Sequence, residues 1–175
     1  MPASQGLPSD DAVQALRHFR QVFNAVKTHF QQLERRSGVG GSLVWALSII
    51  RQQPGIGTGA LAAAMDIHQT TASNLVKSLV ERDLVAVQKS AVDRRGVELT
   101  IRPAGRAVLR KSPAPFSGVL PNALAQLDPA TLRSLNRDLA KLLAVLEKVD
   151  QRAAHVPLAD LGAWRPLSRP ERPKP

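Results

Sequence analysis

The chain contains no cysteine and no tyrosine among its 175 residues. The first absence removes disulfides, thiolate nucleophiles, cysteine-ligated zinc and thiol redox sensing together. Aromatic residues make up only 3%, so base-stacking platforms for single strands are not expected. Acidic residues are scarce: 14 against 24 lysines and arginines, which leaves a formal charge of +10. That balance points to an acidic partner, nucleic acid or an anionic surface, rather than to an acidic substrate. No stretch approaches the ~18 consecutive apolar residues of a membrane span, and MPASQGLPSDD lacks the basic-then-apolar order of a signal peptide. A cytoplasmic location and no membrane partner are therefore expected, with duplex DNA the favoured acidic partner.

A hydrophobic content of 43% is enough for one core with extensions. The first helix is expected to start at Ser9, an N-cap followed by two aspartates at the positive end of the helix dipole. Leu16, Phe19, Phe23, Val26, Phe30 and Leu33 recur at alternating spacings of three and four, a heptad seam. The helix should stop at SGVGGS, with Ser42 capping the next. From Ser42 to about Arg51 the chain is apolar all round, which predicts a helix buried on several sides. QQPGIGT reads as a loop. Thr58 opens a short helix, DIH a turn, and TTASNLVKSLVERD a longer amphipathic helix. Pro113, Pro115 and Pro121 break whatever follows residue 103. Asp128 before Pro129 marks a helix start. Leu132, Leu135, Leu139, Leu142, Leu146 and Val149 then form a second heptad seam.

The central segment has the chemistry of a helix-turn-helix. Leu61 and Met65 supply the inner face of its first helix, and Ala62 allows close approach. Asp66 takes the left-handed turn position, Ile67 plugs the turn, and Ala72 with Leu75 fastens the second helix. On the outer face of that second helix stand Gln69, Thr70, Thr71, Ser73 and Asn74, with Lys77 a turn later. These are hydrogen-bonding side chains able to read base edges or touch phosphates, and no acidic group intrudes before Glu81. A hairpin follows, with Val85 and Val87 on one strand and Val97, Leu99 and Ile101 on the other. Its tip would carry Lys89, Asp93, Arg94 and Arg95. A narrow minor groove attracts an inserted arginine, and an adjacent aspartate can hold a guanidinium in place.

These residues resemble the MarR (multiple antibiotic resistance regulator) family of winged helix-turn-helix transcription factors. The matching stretches are GALAAAMDIHQTTASNLVKSLVERDLV and the wing DRRGVELTIRPAGRAVL, and the resemblance runs from roughly Val13 to Val149. It implies a mainly α fold with a small β-hairpin wing and N- and C-terminal dimerisation helices. The implied organisation has a flexible stretch 1–8, dimerisation regions 9–36 and 104–151, a DNA-binding domain 42–103 and a disordered basic Pro-rich tail 152–175. Gln69, Thr70, Thr71, Ser73, Asn74 and Lys77 would face the major groove, Arg94 or Arg95 would enter the minor groove, and Asp93 would orient an arginine. The resemblance also implies a homodimer, in agreement with two seams that would otherwise be exposed apolar stripes. The sequence departs from the family pattern at Asp66 and Asp83, where glycine is frequent, at His68, where a better capping residue is usual, and at Arg102, where threonine is usual.

Members of the family commonly respond to small aromatic or phenolic molecules, for which His18, His29 and Trp45 are the candidate pocket residues. A repressor relieved by such an effector is the expected function. His18 and His29 lie 11 residues apart, too far to hold one metal, so neither metal nor cofactor is expected. The glycines of GVGG and GIGTG lack the preceding strand and the lysine of a phosphate loop, and no nucleophile–base pair stands out, so no enzyme is expected. The competing expectation is a non-enzymatic helical dimer whose basic surface binds an acidic protein or an anionic surface.

Overall fold

The computed structural model describes residues 9–89, 96–146 and 149–161. Helix α1 (Asp10–Ser37) begins where Ser9 Oγ accepts the Ala12 amide at 3.2 Å, and ends at Gly38, whose φ of 72° is left-handed. Helix α2 (Gly41–Gln52) is capped by Gly40 rather than by Ser42. Helices α3 (Thr58–Met65) and α4 (Gln69–Glu81) follow. Strands β1 (Val85–Lys89) and β2 (Val97–Ile101) pair antiparallel, with Val85 opposite Ile101 and Val87 opposite Leu99. Beyond them lie α5 (Pro103–Lys111), α6 (Val119–Leu124), α7 (Pro129–Ala144), a 3₁₀ turn (Gln151–His155) and α8 (Leu158–Leu161).

One core gathers α2, α3, α4 and the foot of the hairpin. Val44, Leu47, Ile50, Leu61, Leu79 and Leu99 are among its fully enclosed members. The all-round apolar helix α2 lies at its centre, as burial on several sides requires. The hairpin joins the core only at its base: Val85, Leu99 and Ile101 are buried, whereas Val87 is exposed. QQPGIGT is more than a loop, because the Leu99 amide donates to the Ile56 carbonyl at 3.0 Å and the Gly55 amide to Leu99 at 2.9 Å. Gly105 is needed where α5 crosses the hairpin, since a Cβ there would collide with the Leu84 carbonyl and stand 2.8 Å from Ile101 Cγ1.

Pro113 and Pro115 lie in the break after α5 as expected, whereas Pro121 sits within the first turn of α6. Gly118, at φ 104°, turns the chain into α6 against the Phe30 ring. Asp128 caps α7, its Oδ1 accepting from Ala130 and Thr131 at 2.9 and 3.0 Å, with Pro129 in first position.

The structure differs from expectation at three places. Helix α7 ends at Ala144, so Leu146 and Val149 of the second seam lie beyond it. Ser42 does not cap α2; its hydroxyl donates to Asp160 Oδ1 at 2.9 Å. The stretch 152–161, expected to be disordered, forms the 3₁₀ turn and α8, because Pro157 and its neighbours have an apolar surface to cover. Residues 1–8 and 162–175 lie outside the described residues.

Candidate nucleic-acid interface

The turn that aims α4 is made by Asp66, the left-handed cap of α3 at φ 51°. Its amide and that of Ile67 return to carbonyls of the α3 end at 3.1 and 3.0 Å. A short carboxylate side chain tolerates this conformation almost as glycine does. Ile67, Ala72, Leu75, Val76 and Leu79 are buried beneath α4. Gln69, Thr70, Ser73, Asn74 and Lys77 are left exposed, and Thr71 is half-buried. Ser73 Oγ donates to the Gln69 carbonyl at 2.9 Å, so it meets a partner mainly as an acceptor. Lys77 lies 3.9 Å from Glu81, both well exposed, a contact too weak to hold the ammonium away from a phosphate. His68 occupies the N-cap without a side-chain bond to the helix, which leaves the first amides of α4 available.

Lys89 ends β1 and is exposed. Asp93, Arg94 and Arg95 lie outside the described residues. At the other end of the hairpin two departures from the family pattern meet each other. Asp83 is left-handed at φ 57°, and its carboxylate receives Arg102 Nη1 at 2.8 Å. The Arg102 amide also donates to the Leu84 carbonyl at 2.9 Å. Sequence reading missed this pairing because 19 residues separate its members and only the hairpin brings them together.

The three candidate pocket residues have different surroundings. His18 is exposed on α1 and pairs with Gln14 at 3.0 Å, whereas His29 is buried with its Nε2 3.0 Å from the Pro115 carbonyl. Trp45 alone borders a cleft of about 290 Å³, together with Met65, Ile67, Pro121, Val156 and Leu158. His29 ties α1 to the proline-broken segment, and of the three candidates Trp45 lines the cleft.

The two seams have split fates. On α1, Leu33 is 0% exposed, while Phe23 is 67% exposed and stacks on Phe19 with ring centroids 6.2 Å apart. Leu16 is also exposed, and Val26 is half-buried. Helix α7 buries none of its residues within the chain. Leu132, Leu135 and Leu139 are half-buried, and Leu142 and Leu146 are exposed.

A turn-linked helix pair, a following two-stranded hairpin and flanking helices define a winged helix-turn-helix protein. The MarR family model matches residues 44–97, which run from α2 to the start of β2. Over these residues the chain is similar to the MarR family. A curated relative from Thauera aromatica, named for a suggested role as transcriptional regulatory protein for the hcr operon, is 31% identical over 93 residues, or 53% of this chain and 52% of its own. The chain thus spans about half the length of that relative. Among solved structures, a MarR family transcriptional regulator from Streptomyces coelicolor in complex with DNA superposes with a TM-score of 0.52 at 18% identity, over 83% of this chain and 94% of that one. The S. aureus MepR–DNA complex gives 0.51 at 19%, over 81% and 100%. At these identities the likeness is one of fold.

Proposed function

We propose that the protein is a homodimeric, sequence-specific regulator of transcription that binds double-stranded DNA and acts as a repressor. The observation that carries this reading is the outer face of α4: hydrogen-bonding side chains at Gln69, Thr70, Ser73 and Asn74, exposed and free of acidic groups, on a helix seated rigidly on the core. Such a face suits base edges in a major groove, where each well-made bidentate contact discriminates by about 1–3 kcal/mol. In this reading Lys77 and Lys89 meet phosphates, Asp93 orients an arginine, and Arg94 or Arg95 enters the minor groove. The net charge of +10 supplies the sequence-independent attraction.

Two recognition helices require two chains. The exposed seam residues Leu16 and Phe23 of α1 and Leu142 of α7, with half-buried Phe19 and Leu139 beside them, supply apolar surface for a second copy, supported by α7 having no fully buried residue of its own. In this reading a small aromatic effector relieves repression from the cleft at Trp45, and the chiefly apolar lining of that cleft supports it.

The test is an anisotropy titration with duplex DNA from the protein's own promoter region at fixed salt. Asn74→Ala should erode the preference for that duplex over a scrambled one, and Arg94→Ala with Arg95→Ala should weaken binding several-fold. Equal affinity of the wild type for both duplexes, or no loss in the double variant, contradicts the reading.

A further inference from the structure

The segment that closes the described chain is docked at both ends. Near its start, His155 reaches the helix-turn-helix turn: its Nδ1 lies 3.4 Å from the Asp66 carbonyl oxygen and 3.5 Å from the Asp66 carboxylate, and its ring meets the His68 ring edge-on with centroids 5.1 Å apart. Asp66 caps α3, and His68 is the N-cap of α4. Further on, Val156 and Leu158 close one side of the cleft against Trp45, Met65 and Ile67, and Pro157 is buried. At the far end, Asp160 accepts the hydroxyl of buried Ser42 at 2.9 Å. Gly41 is shaped for this contact, since a Cβ there would collide with the Phe30 ring and stand 2.9 Å from Ala159 Cβ.

We propose that residues 151–161 form an intramolecular strap that fixes the helix-turn-helix turn to the α1–α2 scaffold and thereby sets how α4 is presented. The strap grips the two residues that govern the angle between α3 and α4, yet it leaves Gln69, Thr70, Ser73, Asn74 and Lys77 exposed. It is therefore a brace and not a plug. The contact at Asp66 also supplies what a glycine in that place could not, a carboxylate for His155. A mobile turn would spread α4 over many orientations, and binding DNA would then have to order it. This role of α4 rests on the DNA-binding reading; the bracing of the turn does not.

The test uses the full-length chain. Leu158→Asp combined with Ala159→Arg expels α8 from its seat. Hydrogen exchange without DNA should then quicken several-fold at the amides of residues 67–72, while the buried amides of α2 around Leu47 keep their protection as a check that the core is folded. In the titration, the same variant should bind promoter duplex several-fold more weakly. Asp160→Asn keeps an acceptor for Ser42 and should preserve exchange rates, whereas Asp160→Ala should loosen the strap. Unchanged exchange at residues 67–72 in the double variant overturns the brace, and tighter DNA binding overturns it in favour of an autoinhibitory plug. Failure of the wild type to bind any duplex removes the DNA-binding reading alone, because the exchange result is obtained without DNA.

Discussion

Two heptad seams of the same design meet opposite fates, and the contrast is sharpest within α1 itself. Leu33, near its end, is sealed against the core, while Phe23, ten residues earlier on the same seam, is 67% exposed. The last turns of α1 have α2 and the segment around Gly118 to lie against, with Phe30 wedged where Gly41 and Gly118 leave room. The first turns of α1 stay largely exposed, and α7 has no fully buried residue. An apolar stripe therefore says which face must be covered and not what covers it.

The contrast can be broken most forcefully at α7. Leu139→Asp with Leu142→Asp should convert a dimer to a monomer in sedimentation velocity and remove tight DNA binding with it. A dimer that persists leaves the exposed seam without a role. Next in size is the comparison along α1. Leu33→Ala should lower unfolding stability by about 2–5 kcal/mol through loss of enclosed contacts, and this loss should not depend on protein concentration. Phe23→Ala should cost less and chiefly in a concentration-dependent way, because in the proposed dimer a second chain covers it. Equal behaviour in urea titrations at two concentrations would refute the division. Smaller again is Arg102→Ala, which leaves Asp83 in its left-handed turn without its exposed partner. A change of roughly 0–1 kcal/mol is expected in the same assay.

The smallest effect is a matter of pH at the start of α7. Hydrogen bonds from the Thr131 hydroxyl and amide, joined by that of Ala130, hold the Asp128 carboxyl below the ordinary carboxylate range. A depressed carboxylate contributes stability that is present above its unfolded value and fades as pH falls through the folded one. Protection of the Ala130 and Thr131 amides should accordingly persist through mildly acidic pH and weaken only below the usual carboxylate range, and Asp128→Asn should flatten that response. Asp160 differs, because desolvation pushes its carboxyl upward while the Ser42 bond acts against it. Ionisation of Asp160 therefore disfavours the folded strap, and this contribution runs in the opposite sense: it is best at low pH and declines as pH rises through the carboxylate range.

Much of the fold was legible from the chain because its signals are local. Ser9 and Asp128 cap the helices they announce, the glycines after Ser37 stop α1, and the inner-face residues of α3 and α4 fall on the spacings a helix-turn-helix needs. Asp66 in the left-handed region was readable for the same reason. The outer face of α4 was legible as a set of side chains, since period alone decides which residues cannot be buried. Three features were not. Ser42 has the chemistry of an N-cap and serves instead as a donor to a residue 118 positions away. His29 resembles a ligand residue and is spent on the Pro115 carbonyl. The stretch around Pro157 has the composition of a tail and packs as a strap.

By itself, then, the sequence determined the starts of α1 and α7, the apolar faces, the helix-turn-helix and the basic balance, because each depends on neighbours within a turn or two of chain. Only the tertiary structure decided which part of the first seam is covered, that Asp83 and Arg102 meet, that His29 bonds the Pro115 carbonyl, and that residues 151–161 lie against the turn. Those outcomes depend on loop closures that bring distant residues together, and a polar side chain's partner is set by what that closure places within about 3 Å of it.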